Sequence, residues 1–472
     1  MTKSTKWTAA LLALGLGTSA AYAADPTQKE LMAQIEALKA KVNAMEQKQA
    51  TYDSRDIDAT VAAVLRDSDH HSMMIDGGAV NAGFNPKKGQ FFIQTEDGSS
   101  YFHPAAIFQF RNVTNYRENS GAKTGQADTI NGFEVRRMKI GFDGNVFSKD
   151  LTFKFQWQNN LTGAPTLEYA WGDYVFAHNV LLGGDLAFRA GQFKDVPFKE
   201  QAIINDNTQL MVERSIADTF VGGNAVSPLQ QGVDFKLTGK DTPLHVDLAF
   251  TGGQNSGNTD FQKTFSTTTQ SIVGGKLVST TKNTKQDFGA AGRVDYKVFG
   301  DWSDTTDMTG VLATKDLLDI GGGISFTQLD GLNVYRADVD AQYIWAKKLS
   351  VFAAVYADEI DTRNVATGHR HDYAGVAEAG YFITPAIQAT ARYSIVMLDK
   401  NFKVGNTGQF HEISAGVNWF LGPDGAWGNH AKVSFDVTYL PNGTPGTTGL
   451  DFLPTTNKQN EFVGRVQLQL WI

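Results

Sequence analysis

The chain has 472 residues, with 42 Lys and Arg against 50 Asp and Glu and a formal net charge of −8. An acidic balance of this kind excludes nucleic acid as the main partner, because phosphate backbones recruit basic surfaces. There is no cysteine, so an exported form has to be held by a large ordered framework and not by disulfides.

The opening "MTKSTKWTAALLALGLGTSAAYA" has a basic start at Lys3 and Lys6, an apolar stretch from about Ala9 to Leu16, and small residues at Ala21 and Ala23. This is the form of a secretory signal, and it is too short for a stable membrane span. Residues 1–23 are therefore read as a signal peptide, with a mature chain starting near Ala24. No later stretch approaches roughly 18 uninterrupted apolar residues, so no transmembrane helix is expected.

Residues 24–50 carry Leu31, Ile35, Leu38, Val42 and Met45 at spacings of 4, 3, 4 and 3, the seam of a coiled coil. Fewer than three heptads are marginal alone, so this helix is expected to assemble only where other contacts already hold subunits together. A solvated single helix with one apolar stripe is the alternative. Residues 51–104 read as a periplasmic linker and the entry to a strand-rich region.

From about residue 105 the apolar period becomes two and stays so. In "LTFKFQWQ", Leu151, Phe153, Phe155 and Trp157 oppose Thr152, Lys154, Gln156 and Gln158. In the final "VGRVQLQLWI", Val466, Leu468, Leu470 and Ile472 oppose Arg465, Gln467 and Gln469. About sixteen candidate strands obey this rule, near 106–117, 132–144, 151–160, 166–178, 185–194, 231–239, 243–252, 286–298, 316–327, 333–346, 349–360, 371–383, 385–398, 410–421, 429–440 and 459–472. Their typical length, about ten residues, is what a tilted strand needs to cross a bilayer. Several joins are short ("NVFSKD", "KDT", "KK", "TP"), whereas those over 195–230 and 253–285 are long. Short turns on one side and long loops on the other mark an outer-membrane barrel. The joins near 299–315 and 161–165 break that rule.

Alternation alone does not separate a barrel from a sandwich. The polar faces do, since they place Arg, Lys, Asp and Gln in mid-strand, where a closed barrel exposes them to a water-filled lumen. The expected fold is all-β: a sixteen-stranded antiparallel transmembrane β-barrel over 105–472, with a short N-terminal α-helical coiled-coil segment. Its last strand closes on its first, so that no backbone edge faces lipid.

The runs "GFEVRRMKIGFDG", "FRAGQFKDVPFKEQ", "QGVDFKLTG", "EAGYFIT" and "AGVNWFLGP", in this order, resemble the phosphate-selective porin O/P family over about residues 90–472. The resemblance implies an integral outer-membrane porin of a Gram-negative-type bacterium, trimeric, with a loop folded into the pore. Here that constriction loop would be about 195–230, carrying Lys199, Asp206, Glu213, Arg214 and Asp218. Implied partners are outer-membrane lipid, two further copies of the chain, small anions or polar solutes, and the assembly machinery that reads the C-terminal strand. Family members end in phenylalanine, whereas this chain ends Trp471-Ile472.

The alternation assigns Arg137, Lys139, Lys154, Arg189, Lys236, Arg293, Lys297, Arg336, Arg392, Lys432 and Arg465 to the lumen. Against these eleven cations stand nine acids: Asp143, Asp234, Asp247, Asp295, Asp338, Asp340, Glu378, Glu412 and Asp436. Salt bridges along strands are expected, Arg293 with Asp295 and Arg336 with Asp338 and Asp340. A phosphate-selective pore needs arginine forks without competing carboxylates, and the loop carries five acids, from Asp195 to Asp218, against Lys194, Lys199 and Arg214. A general diffusion pore is therefore favoured, with a phosphate- or polyphosphate-selective channel as the alternative. No cofactor or metal is expected; His369 and His371 in "GHRHDY" lack a nearby third ligand. No serine motif accompanies the strand histidines, so an enzyme is not expected, and an envelope anchor is the remaining non-channel reading.

Overall fold

The structure is a computed structural model. It describes Met32, residues 35–43 and, within 80–472, all but 86–88, 119–127, 160–162, 223–227, 255, 260–263, 274–275, 330–331, 363–368, 404–406, 446–450 and 453–459. The expected signal peptide, and the linker up to residue 79, lie outside the described residues. Within the heptad segment, 35–43 is helical and Met32, Ile35, Leu38 and Val42 are exposed; Leu31 and Met45 are outside the description. This helix belongs to a unit separate from Val80–Ile472.

The second unit begins with a hairpin, β1 (Val80–Asn85) and β2 (Gln90–Thr95), inside the stretch read as linker and entry. Then come β3 (Tyr101–Arg117), β4 (Thr129–Asn145), β5 (Leu151–Asn159), β6 (Pro165–Leu181), β7 (Gly184–Lys194), β8 (Leu229–Thr238) and β9 (Leu244–Thr251). After them stand β10 (Thr264–Val273), β11 (Lys276–Phe299), β12 (Leu317–Leu329), β13 (Leu332–Trp345), β14 (Leu349–Thr362) and β15 (His369–Thr384). The chain finishes with β16 (Ile387–Met397), β17 (Gln409–Phe420), β18 (Ala431–Leu440) and β19 (Glu461–Trp471).

Strands β3 to β9 pair in order, β9 pairs with β11, β11 to β19 pair in order, and β19 pairs with β3. Every pairing is antiparallel, and the ring closes with sixteen strands. All sixteen correspond to expected strands. The extra strand β10 pairs only with Lys276–Lys285 at the start of β11, outside the ring.

The burial of the side chains is inverted relative to a soluble protein. Along β19, Phe462, Val466, Leu468 and Leu470 are exposed, whereas Arg465, Gln467 and Gln469 are buried. The same inversion runs around the ring, from Phe133 and Ile140 on β4 to Val355 on β14 and Trp419 on β17. Apolar area facing water costs about 25 cal/mol per Å², so an outer face of this kind belongs in lipid, and the polar lumen supplies the wet side.

The lumen is not empty, because several connections fold into it. Residues 300–316, the long join on the short-turn side, form one: Thr305, Met308 and Thr309 are buried. Gln388 donates to Thr309 O at 2.9 Å, and the Thr208 hydroxyl donates to Thr306 O at 2.7 Å. The join breaks the length rule because it is a piece of the interior and not a turn. The loop between β7 and β8 is another, and β12 makes room for it. A Cβ on Gly323 would lie 2.5 Å from Pro197 Cα, so a residue with a side chain there would push the loop off the wall.

Candidate permeation pathway

The wall from β3 to β8 carries its charges through alternation and two β-bulges. In β4, Arg137 and Lys139 point inward as expected. The β3–β4 register steps from Gln109–Arg137 to Phe110–Val135, leaving Arg136 as an extra residue. Freed from the ladder, Arg136 turns to Glu213 at 2.5 Å. The β5–β6 register likewise steps from Gln156–Tyr169 to Trp157–Leu167, and the extra residue is Glu168. Buried Glu168 accepts a hydrogen bond from Lys139 Nζ at 2.7 Å. Each bulge thus re-aims a charged side chain, which strict alternation does not foresee.

Of the β7–β8 loop, residues 195–222 lie against the opposite wall. Asp195 pairs with Arg336 at 2.5 Å, Arg293 donates to Pro197 O at 2.6 Å, and Lys199 pairs with buried Asp319. Val212 N donates to Asp436 and Ile216 N to Glu412, both at 2.9 Å. Arg392 donates to Glu213 O at 2.8 Å. Between these bonds Phe198, Ile204, Leu210 and Ile216 pack with Phe352, Tyr356, Val396 and Phe410 in one apolar cluster. The loop therefore fills the β12–β19 half of the lumen.

Its other side meets the β3–β8 wall through charge. Glu213 lies 2.6 Å from Arg111, 2.5 Å from Arg136 and 3.1 Å from Arg137. Asp206 lies 2.5 Å from Arg214 and pairs with Lys139. Burial opposes the charge of both carboxylates, but Arg136, Arg137 and Arg111 hold Glu213 well below the usual range. Arg214 and Lys139 do the same for Asp206. Asp218 behaves oppositely: burial first, then neighbouring Glu200, push it well above the usual range, and Arg214 Nε is 3.9 Å away.

Two cavities remain open between loop and wall. One, of about 490 Å³, is lined by Arg136, Arg137, Gln158, Glu168, Lys194, Asp206 and Arg214 among others. The other, of about 150 Å³, is lined by Lys139, Asp143, Lys154, Glu168, Tyr169, Lys194 and Asp206 among others. They share Glu168, Lys194 and Asp206, so the three mark the junction.

Of the residues singled out in the sequence, the structure brings Arg137, Lys139, Lys154, Asp206 and Arg214 to these cavities, with Glu213 directly behind the larger one. Arg189 stands elsewhere on this wall, 3.0 Å from Asp173 and 4.1 Å from the Trp171 ring. Arg293, Arg336 and Arg392 instead lie beneath the loop, and the loop's own Lys199 and Asp218 are buried as well. Arg465 is covered by the β18–β19 connection, 3.0 Å from Asp451. The expected Arg293–Asp295 pair forms at 2.6 Å. The expected Arg336 pairs with Asp338 and Asp340 do not. Those two acids turn to Arg293, at 3.3 and 2.8 Å, because the loop brings Asp195 to Arg336. Sequence reasoning misses Arg111, Arg136, Glu168 and Tyr169; Arg111 obeys the alternation yet is not among the eleven cations assigned to the lumen, and the next two are bulge residues. His369 and His371 approach Glu359 at 3.6 and 3.8 Å, and no metal-holding group of three exists among the described residues.

A closed sixteen-stranded barrel with a polar lumen, an apolar outer face and a loop folded inside is the build of a porin. The sequence matches the model of the family "Phosphate-selective porin O and P" over residues 110–441, and the chain belongs to that family. No curated protein matches the sequence. Among solved structures, the anion-selective porin from Comamonas acidovorans has a TM-score of 0.51 at 9% identity, covering 79% of this chain and 100% of that one. The channel DcaP of Acinetobacter baumannii gives 0.49 at 8% identity, with 80% and 99% covered. Vibrio cholerae OmpT gives 0.47 at 14% identity, with 79% and 98% covered. The protein is an integral outer-membrane channel for passive diffusion.

Proposed function

We propose that the channel is a general diffusion pore that prefers anions, with its selectivity set between the β3–β8 wall and the β7–β8 loop. One observation carries this reading. The open cavities are lined by Arg136, Arg137, Lys139, Lys154, Lys194 and Arg214, against only Asp143, Glu168 and Asp206. The near-balance of eleven cations and nine acids disappears along the passage because most lumen acids lie under the loop, bound to its backbone or to buried arginines. Low-dielectric walls focus the field of the surplus cations and raise the local anion concentration. Specific phosphate recognition is less well supported, since it needs free guanidinium forks, and those of Arg136, Arg137 and Arg214 face Glu213 and Asp206.

A homotrimer accords with the outer face of β3–β5. There Phe110 stacks on Phe133 at 5.8 Å, and Phe142 lies 5.4 Å from Phe155 and 6.2 Å from Trp157. An exposed aromatic patch of this kind supports packing against a second copy of the chain. The heptads of 24–50 would add to that contact after removal of residues 1–23. The family match and the polar, loop-filled barrel support reading the chain as a channel and not as an enzyme.

The test is the reversal potential of the purified protein in a planar bilayer under a tenfold KCl gradient. A chloride-over-potassium permeability ratio of roughly two or more is expected. A ratio below one would overturn the reading.

A further inference from the structure

Most cations of the passage are clamped by a carboxylate. Arg136, Arg137 and Arg214 have one at 2.5, 3.1 and 2.5 Å, and Lys139 sits between Glu168 and Asp206. Lys154 and Lys194 are different. Lys154 has neither an ion pair nor a hydrogen bond among the described residues, although Asp143 faces it across the β4–β5 ladder. His103 takes that carboxylate at 2.7 Å. Among the described residues Lys194 has one ion pair, with Glu168 at 3.8 Å, beyond hydrogen-bond reach. What stands beside both ammonium groups is the ring of Tyr169, at 4.8 Å from Lys154 and 5.8 Å from Lys194. The arrangement comes from the sheet, since β6 carries Tyr169 between β5 with Lys154 and β7 with Lys194.

An aromatic face attracts a cation through its quadrupole yet leaves the charge uncompensated. A carboxylate would attract it and cancel it. We infer that Tyr169 is a positioning residue that holds Lys154 clear of any ion pair and Lys194 out of hydrogen-bond reach of Glu168, and that these two ammonium groups are the station at which a permeating small anion is held. The inference rests on the anion-preferring reading and narrows it to one place. Asn207 lines the same cavity, and its amide nitrogen, not used by any hydrogen bond among the described residues, can donate to the anion as well. Ammonium groups are compact charges on flexible stems without the fixed fork of arginine, so the station suits small anions by charge and not by shape: halide, carboxylate or phosphate alike.

Three variants of the full chain test this in planar bilayers, read by chloride-over-potassium ratio and by exclusion of neutral polymers, which reports pore width. The double variant Lys154→Gln, Lys194→Gln should lower the ratio at least twofold at unchanged width. Tyr169→Leu should lower it in the same direction, because Lys154 is then free to reach Asp143 and Lys194 to close from 3.8 Å to hydrogen-bond distance of Glu168. Tyr169→Phe keeps the ring and should keep the wild-type ratio. If Tyr169→Leu retains the wild-type ratio, or changes the width along with it, the positioning role is overturned. If the double variant stays as anion-selective as the wild type, the station is overturned while the pore reading stands. A cation-selective wild type would defeat the pore reading itself.

Discussion

Removal of residues 462–472 is expected to abolish insertion into the outer membrane. Strand β19 pairs with β18 over Ala431–Leu440 and with β3 over Ile107–Arg117, so its loss leaves two long edges open. Each unpaired backbone group facing hydrocarbon costs several kcal/mol. Closing the remaining fifteen strands would require a parallel β18–β3 pair in a new register, because β18 and β3 run in the same direction. Fractionation and heat-dependent gel mobility should find no folded barrel in the outer membrane. Intact truncated protein recovered there would contradict the closed ring.

The second large effect is expected at Glu213, where one carboxylate of the loop meets Arg111, Arg136 and Arg137 of the wall. Breaking a buried ion pair from one side costs roughly 3–5 kcal/mol. Glu213→Ala should therefore loosen the loop and add current noise, and it should lower the melting temperature of the folded form. Arg111 keeps Glu134 and Asp451, at 2.6 and 2.5 Å, so the wall itself stays formed. Glu213→Gln preserves the shape and part of the hydrogen bonding while removing the charge. It should leave conductance steady and raise the chloride-over-potassium ratio. A Glu213→Ala channel with wild-type melting and wild-type noise would mean that this contact does not hold the loop.

The barrel is legible in the sequence because its signal is physical and repeated. Lipid outside and water inside impose the same two-residue period on sixteen strands, down to the "VGRVQLQLWI" of β19. Strand β10 is illegible for the same reason: it lies outside the ring, so lipid imposes no alternation on "TFSTTTQSIV". The site is legible by face only. Parity assigns Arg137, Lys139 and Lys154 to the lumen, but it assigns Arg293, Arg336 and Arg392 there too, and the loop covers these. Which of the two sets meets a solute depends on where residues 195–222 lie, and that path is written in long-range partners such as Glu412 and Asp436. Arg136 and Glu168 are invisible to parity because a bulge has no period.

The central claim is that solutes pass between the loop and the β3–β8 wall, not along the wall that the loop covers. Because the chain has no cysteine, single cysteines report without background. Gln158 lines the larger open cavity, whereas Ser394 is buried under the loop with its hydroxyl 3.1 Å from Ala217 N. A water-soluble sulfonated thiol reagent added to a conducting bilayer should cut the current through Gln158→Cys and leave Ser394→Cys untouched. Rapid block of Ser394→Cys with Gln158→Cys inert would place the passage on the other side of the loop and contradict the account.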